Sequence, residues 1–395
     1  MAIIETCDRM RVGFILNHYA PHQVAHVAPV AFALSCERPD WTTDILCSTD
    51  AELDFARDIS RQYPGHTANF CKLKTPASAR LVDPLVSQIA FLRKNAVQLA
   101  NLKLFATYDA LVTPEMTSLQ MRRYPAMANV RLIFTGHGAG DGYGGQTGMF
   151  DPRIDEFDLV LLPGRRIARE LAALGRFRDT PYAIVGYPKL ELRSGQRRFF
   201  SNDRITVLYN PTQNRAATSW HRFGKDVLDF FYASDAYNLI FAPHVLLFRR
   251  AWSRGARLPR RYRSTDTVLI DLCSRASVDM TYLKSADIYL GDLSSQIYEF
   301  IDTPRPCVFL DPIGVDYRDN PAFRSWSFGP VVRQAGDLGA ALAQTQRTFD
   351  AYRPVQEAAR DDNFAQDTRP ASARGAEVIA TYLETAGVNP KWRLA

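Results

Sequence analysis

Short apolar segments alternate with segments of helical periodicity along the first half of the chain. Residues 22–35 and 82–105 carry apolar side chains at helical spacing, which predicts helices there. Strands are predicted at six apolar runs, residues 10–16, 42–48, 109–114, 130–136, 158–164 and 182–188. Strands that alternate with helices are typical of parallel sheets built from βαβ units. This half of the chain therefore predicts a Rossmann-like domain.

A polar segment at residues 190–203 interrupts the alternation and indicates a domain boundary. Beyond it, strands are predicted at residues 205–212, 237–245, 267–273, 286–292 and 305–312. Helices are predicted at residues 221–234, 278–285, 294–302 and 336–352, and a last helix at 371–387 follows a polar stretch at 353–370.

The predicted fold class is α/β, with two Rossmann-like, doubly wound parallel-sheet domains that face a cleft. We expect residues 1–190 to form the N-terminal domain and residues 191–370 the C-terminal domain. Residues 371–395 are expected to form a C-terminal helix that packs back on the N-terminal domain. Because open α/β sheets bind ligands beyond the carboxyl ends of their strands, the functional residues are expected just after the strands.

Composition and charge narrow the class of protein. The chain has 395 residues, of which 46% are apolar and 23% charged, which excludes a wholly disordered chain, a collagen and a coiled coil. No apolar run reaches the ~18–20 residues of a membrane span, and the first residues lack the pattern of a signal peptide. We therefore expect a cytoplasmic protein.

The charge balance favours an anionic partner. Lys and Arg number 48 against 42 Asp and Glu, a net charge of +6. An excess of this size suits a nucleotide, a phosphorylated polymer or a membrane surface, and is too small to indicate nucleic acid. Six scattered cysteines without CxxC spacing indicate free thiols and no zinc site.

The segment 285–312 contains a predicted strand that runs into a turn and a helix. Asp292 ends the strand, Ser294 and Ser295 open the helix, and Glu299 follows one turn later. Backbone N–H groups and serine hydroxyls at a helix start suit a phosphate, and a carboxylate on the same face can accept a ribose hydroxyl. The alternative is an ordinary strand–turn–helix with a capping serine.

Two further strand ends carry histidines. His137 follows the strand at 130–136 in a glycine-rich loop, where it is a candidate general base that Asp141 could orient. His244 follows Pro243 at the end of the strand at 237–245, where it could donate to a phosphate or transfer a proton. The alternative for each is a histidine that only packs in its loop.

Three more histidines recur every fourth residue directly after the first strand. On a helix His18, His22 and His26 would share one face. Without an accompanying carboxylate or cysteine a metal site is the lesser possibility, and His18 and His22 are the candidates for contact with an acceptor substrate.

The segment 248–264 contains seven arginines interleaved with aromatic residues. Such a pattern suits an anionic membrane face or a polyanionic acceptor, and an arginine-rich solvated loop is the equal alternative.

Together these segments resemble the CDP-glycerol glycerophosphotransferase family, the teichoic-acid and capsule polymerases of cell-envelope biosynthesis with a GT-B fold. The resemblance covers roughly residues 130–312. Gly291 and Leu293 stand where the family has Thr and Tyr. The matching segments are GHGAGDGYGG (136–145), GYPKLE (186–191), YNPT (209–212), PHVLL (243–247), GDLSSQIYEF (291–300) and RPCVFLDP (305–312).

The resemblance implies a CDP-activated polyol phosphate as donor and a glycan or lipid-linked acceptor, with no cofactor and no bound metal. His137 would deprotonate the acceptor hydroxyl, with Asp141 as the rival base, and CMP would be released. Asp292 would help to hold the pyrophosphate and Glu299 the ribose. The other donor-binding residues would be Asn210, Thr212, His244, Ser294 and Ser295.

Two other functions stay open at this stage. A GT-B glycosyltransferase or a sugar-nucleotide 2-epimerase would use a UDP- or CMP-sugar on the same fold. A non-catalytic membrane-surface binding module is the alternative from another class. Peripheral attachment at the inner face of the membrane, through residues 248–264, is compatible with each of these functions.

Overall fold

The chain divides into two compact units. The computed structural model describes residues 9–18, 21–79, 92–140, 148–193, 195–248 and 257–385. The first unit comprises the described residues up to His137, those from 148 to Glu191, and those from Phe364 onward. The second comprises residues 138–140 and the described residues from Leu192 to Asn363.

A parallel sheet forms the centre of the first unit. Its described strands are β1 (Arg11–Leu16), β2 (Thr42–Cys47), β3 (Asn69–Lys72), β4 (Ala110–Thr113), β5 (Arg131–Phe134), β6 (Leu159–Leu162) and β7 (Tyr182–Ile184). They lie in the order β3-β2-β1-β4-β5-β6-β7. The strand order reverses between β1 and β4, where Phe14 pairs with Val112. Open α/β sheets bind ligands beyond the carboxyl ends of strands at such a switch point.

Helices cover this sheet and lead into its functional edge. They are α1 (Val24–Glu37), α2 (Asp50–Ser60), α3 (Leu92–Ala100), α4 (Leu102–Phe105) and α5 (Arg165–Ala173). A 3₁₀ turn, Pro21–Gln23, precedes α1. Helix α1 is buried from Val24 to Ser35 because its residues are almost all apolar or small. Helix α2 starts with a capping box, in which Thr49 and Glu52 satisfy each other's backbone N–H groups.

The second unit repeats the architecture. Its described strands are β8 (Ile205–Asn210), β9 (Tyr237–Phe241), β10 (Val268–Ile270), β11 (Ile288–Gly291), β12 (Cys307–Leu310) and β13 (Val331–Val332). They are parallel in the order β10-β9-β8-β11-β12-β13, so the switch point lies between β8 and β11. Register pairs Asn210 with Gly291 at the carboxyl ends of these two strands.

The helices of the second unit pack aromatic and aliphatic side chains on its sheet. They are α6 (Trp220–Ala233), α7 (Thr281–Ser285), α8 (Gln296–Phe300), α9 (Leu338–Arg347) and α10 (Phe349–Asn363). Trp220 stacks on Phe241 at a ring distance of 5.3 Å, which anchors the start of α6 beside the switch point.

A final helix, α11 (Ala371–Thr385), belongs to the first unit. It packs on α1, where Gly375 lies so close that a side-chain carbon there would come within 3.3 Å of Val30. Among the described helices, none combines the length with the apolar content that crossing a bilayer requires.

The predicted α/β class with two parallel-sheet domains is confirmed, while some element boundaries were wrong. The single helix predicted at 336–352 is instead two helices, α9 and α10, and α10 continues into the polar stretch to Asn363. That helix lies mostly exposed, and its buried Gln356 bonds the backbone of Arg305 and Phe328, so it needs few apolar residues. Neither α2 nor β3 was predicted, and of the helix predicted at 82–105 only residues from 92 onward lie in the described range.

Candidate active site

Four imidazoles of the first unit lie together near the carboxyl ends of β1, β4 and β5. The ring centroids are 4.3 Å apart for His18 and His22, 5.6 Å for His22 and His137, and 6.5 Å for His26 and His137. His18 precedes the helix, His22 lies in the 3₁₀ turn and only His26 lies in α1, so the expected common helical face is not what unites them. The fold gathers these rings by placing the start of α1 against the loop after β5.

Hydrogen bonding favours one tautomer of His137, because its Nδ1 lies nearer to a carbonyl oxygen than to the amide nitrogen of Gln23. Its Nδ1 lies 3.0 Å from the carbonyl oxygen of Pro114, which can only accept a hydrogen bond. The neutral ring therefore carries its proton on Nδ1 and a lone pair on Nε2. Nε2 has no hydrogen-bond partner among the described residues. This is the arrangement that a general base requires.

A buried ion pair lies beside the four rings. Lys94 Nζ is 3.0 Å from Glu115 Oε1, and the lysine side chain is 3% exposed. Gln23 Nε2 donates to the same carboxylate oxygen, and His18 Nε2 lies 3.7 Å from it. Burial lowers the pKa of Lys94, and the charge of Glu115 opposes that shift. Glu115 thus holds a lysine, an amide and an imidazole in one arrangement.

Glu52 connects the ends of β1 and β2. Its Oε1 accepts from the His18 backbone N–H at 2.8 Å. Its Oε2 accepts from the Ser48 N–H, the Ser48 hydroxyl and the Thr49 N–H at 2.9–3.0 Å. Burial raises the pKa of this carboxyl to about 7, and the donated hydrogen bonds oppose the shift. Glu52 therefore positions the backbone that carries His18.

Replacing Glu52 by glutamine should flatten the dependence of stability on pH. The folded carboxyl has a pKa of about 7 and its ordinary value is 4.5, so the folded state binds the extra proton between these values. The free energy of unfolding therefore falls as pH rises through this window, by about 3 kcal/mol at ~1.4 kcal/mol per pKa unit. Denaturation at pH 5 and pH 8 measures it, with the exposed Glu357→Gln as control. An identical pH slope in Glu52→Gln and the wild type would contradict the assignment.

At the switch point of the second unit, Asp292 joins the loops that follow β8 and β11. Its Oδ1 accepts from the Thr212 N–H at 2.8 Å, and its Oδ2 accepts from the Ser219 N–H at 2.6 Å and the Ser219 hydroxyl at 2.7 Å. The residue is 0% exposed, and burial raises the pKa of its carboxyl to about 6. These contacts are those of a residue that positions loops.

Asn210 and Ser294 meet at the same edge of the sheet. Asn210 donates to the Ala242 carbonyl at 2.6 Å and accepts from the Tyr289 and Ser294 hydroxyls at 3.3 Å. Ser294 also accepts from the Gln296 N–H at 3.3 Å, at the start of the short helix α8.

The loop of the second unit that contains residues 138–140 lies against Ser295. A side-chain carbon at Gly140 would come within 3.2 Å of Ser295 Cβ, so glycine permits this close approach. Ser295 itself makes no side-chain cap bond to α8.

The other residues expected to bind the nucleotide donor also lie in the second unit. His244 Nδ1 accepts from the Leu246 N–H at 3.3 Å, so the neutral ring carries its proton on Nε2, which can donate. Glu299 lies in α8 and is 3% exposed. Thr212, whose N–H donates to Asp292, is 7% exposed.

Some predicted features fall outside the described range. Asp141 lies there, as do residues 249–256 of the arginine-rich segment. Within the described part of that segment, Phe248 packs on Trp220 at 4.9 Å and Tyr262 is 6% exposed. Tyr262 belongs to the hydrophobic core of the second unit and Phe248 packs against that core. Membrane contact through residues 248–264 stays a prediction.

The sequence analysis missed four residues that the fold brings to the site from distant parts of the chain: Gln23, Glu52, Lys94 and Glu115. Glu115 had one detectable signal, because it is a charged residue directly after a predicted apolar strand. Among the described residues, no group of three or more His, Cys, Asp or Glu side chains has the geometry to hold a metal ion.

No protein-family profile and no curated protein matches the chain. Solved structures do match along nearly all of its length. The wall teichoic acid polymerase TagF, soaked with CDPG, matches with a TM-score of 0.62 at 14% identity over 96% of this chain and 90% of that one. A UDP-N-acetylglucosamine 2-epimerase candidate from Listeria monocytogenes matches with a TM-score of 0.62 at 12% identity over 98% of both chains.

A third structure, S. aureus MnaA with UDP, matches with a TM-score of 0.56 at 10% identity over 95% of this chain and 96% of that one. Identities this low establish the fold alone. The two parallel sheets and these matches show that the chain has a GT-B fold.

Proposed function

We propose that the protein is a transferase that moves a polyol phosphate, of the glycerol- or ribitol-phosphate type, from a CDP-activated donor to a hydroxyl of a cell-surface glycan or glycolipid. The observation that carries the proposal is His137, whose Nδ1 is anchored 3.0 Å from the Pro114 carbonyl and whose Nε2 is left to accept a proton. The fold shared with a CDPG-soaked teichoic acid polymerase supports the choice of donor.

In the proposed reaction, Nε2 of His137 takes the proton of the acceptor hydroxyl as its oxygen attacks the β-phosphorus of the donor. A bond forms between that oxygen and the β-phosphorus. The bond between the β-phosphorus and the oxygen that bridges the two phosphates breaks, and the bridging oxygen leaves as part of CMP. A positioned base of this kind contributes about 10²–10⁴-fold in rate.

The second unit is proposed to bind the donor. Asn210, Thr212, Ser294 and Ser295 would contact its phosphates and Glu299 its ribose, and His244 would donate from Nε2 to the leaving phosphate. Asp292 is fully buried, and its carboxylate already accepts three hydrogen bonds from Thr212 and Ser219. We therefore assign it a positioning role instead of a contact with the pyrophosphate.

A double substitution of Ser294 and Ser295 by alanine should weaken binding of CDP. Each charge-assisted hydrogen bond to a phosphate contributes roughly 1.5–3 kcal/mol, so a loss of a few kcal/mol is the upper limit. Isothermal titration with CDP measures the change, and the exposed Ser201→Ala serves as control. Unaltered affinity in the double variant would reject this donor site.

A second candidate function is a GT-B glycosyltransferase or a sugar-nucleotide 2-epimerase that uses a UDP- or CMP-sugar. The observation in its favour is that the epimerase candidate matches with the same TM-score as the polymerase. A panel of CDP-glycerol, CDP-ribitol, UDP-N-acetylglucosamine and a CMP-sugar separates the two. CMP release from the CDP-polyols alone supports the proposal, while UDP release or epimerised UDP-sugar supports the second candidate.

A further inference from the structure

Several buried polar atoms in the segment 17–26 have no hydrogen-bond partner in the described part of the chain. They include Asn17 Oδ1, Gln23 Oε1 and His26 Nδ1. Their residues are 4%, 1% and 5% exposed. Since buried polar groups are nearly always hydrogen-bonded, three such exceptions within ten residues indicate that something else satisfies them.

The partners of the two amide groups identify their oxygens as the unpaired hydrogen-bond acceptors. Asn17 Nδ2 lies 3.0 Å from the Lys94 carbonyl oxygen, and Gln23 Nε2 lies against Glu115 Oε1. A carbonyl and a carboxylate can only accept, so the atoms facing them must be the amide nitrogens. Oδ1 and Oε1 are thereby fixed as acceptors without a donor.

Two of these residues lie beside the proposed base. Gln23 Nε2 is 3.3 Å from His137 Nδ1, and the ring of His26 lies 6.5 Å from that of His137. Burial lowers the pKa of His26 well below its ordinary value, with Lys189 and His137 adding to the shift, so its ring is neutral at neutral pH. The unsatisfied Gln23 Oε1 thus belongs to a side chain that contacts the base.

A phosphate fits such a place poorly, because its oxygens are acceptors and would face two further acceptors with Glu115 alongside. A molecule that donates O–H groups satisfies them. We infer that the first unit binds the acceptor as a neutral polyol, with one hydroxyl donating to Asn17 Oδ1 and another to Gln23 Oε1. This inference rests on the proposed function and adds the chemical class of the acceptor group.

Histidine-detected NMR on the full chain tests this without turnover. The chain has seven histidines, so the four clustered rings can be followed separately, with the exposed His221 as internal reference. Titration with glycerol, with and without CDP, should shift the clustered signals saturably, whereas propan-1-ol at the same concentrations should not. Shifts with inorganic phosphate but not glycerol would overturn the inference in favour of an anion site. No shift with either would overturn it in favour of bound water.

Variants give an independent measurement. Asn17→Leu and Gln23→Met should each weaken glycerol binding about tenfold, the loss of one hydrogen bond of ~1.4 kcal/mol. Asn238→Leu is the matched control, because Asn238 Oδ1 is also buried without a partner but lies in the second unit, with its Nδ2 on Asn202. Equal glycerol affinity in all three variants would contradict the assignment.

The two proposals fail separately. CMP release from CDP-glycerol without any glycerol-induced shift would leave the proposed function standing and overturn the polyol site. A saturable glycerol shift without CMP release from any CDP-polyol would support the polyol site and overturn the proposed function.

Discussion

Replacement of His137 by alanine is expected to lower kcat about 10²–10⁴-fold, the usual contribution of a positioned base. A polyol hydroxyl is a poor nucleophile until its proton leaves, and Nε2 of His137 is the atom prepared to take it. CDP affinity should stay within a few-fold, because the proposed donor contacts belong to the second unit. CMP release under saturating CDP-glycerol measures kcat, and titration with CDP measures affinity.

A second substitution separates chemistry from packing. His137→Asn can still donate to the Pro114 carbonyl but has no basic nitrogen, so it should lose as much activity as the alanine variant. The exposed His221→Ala is the control and should retain full turnover. Near-normal turnover in both His137 variants, together with an inactive Asp141→Asn, would transfer the role of base to Asp141.

The fold was accessible from the sequence because its signals are local. Apolar runs such as 10–16 and 237–245 are long enough to be read without their neighbours, and parallel strands follow from their alternation with helices. The prediction missed the part of helix α10 beyond residue 352. The buried contact there is made by Gln356, whose partners Arg305 and Phe328 are distant in sequence. Periodicity of apolar residues cannot report a helix that is held by a polar contact.

The candidate site could be predicted from the sequence only in part, because many of its contacts also join residues that are distant in sequence. His18, His22 and His137 stand directly after predicted strands, and such positions are where α/β sheets bind ligands. Glu52 reaches His18 across 34 residues, and Gln23 reaches Glu115 across 92. No spacing rule joins positions so far apart, so these partners appear only when the strand order is known.

The two units use the same kind of contact at the carboxyl ends of their strands. Glu52 accepts backbone donors from the segments that follow β1 and β2, and Asp292 accepts them from the segments around β8 and α6. Each carboxylate is buried and each has its pKa raised by that burial. A buried carboxylate with several N–H donors fixes loops firmly, since losing the acceptor leaves every donor unsatisfied.

Asp292→Ala is accordingly expected to destabilise the second unit by about 3–5 kcal/mol, because Thr212 N–H and both donors of Ser219 lose their acceptor. At ~2–4 °C per kcal/mol for a unit of this size, calorimetry should show its melting temperature lowered by roughly 6–20 °C. The exposed Asp235→Ala should change it little. A melting temperature equal to that of the wild type would refute the positioning role.

The pH dependence gives the same assignment a second test. The folded Asp292 carboxyl has a pKa of about 6 against an ordinary 3.8, so the folded state binds the extra proton in between. Its contribution to the free energy of unfolding therefore falls as pH rises through this window, by about 3 kcal/mol. Asp292→Asn cannot titrate, so its deficit relative to the wild type should be larger at pH 4 than at pH 7. A deficit that grows with rising pH would mean that the charged carboxylate is the favoured form, and that its three donors outweigh its burial.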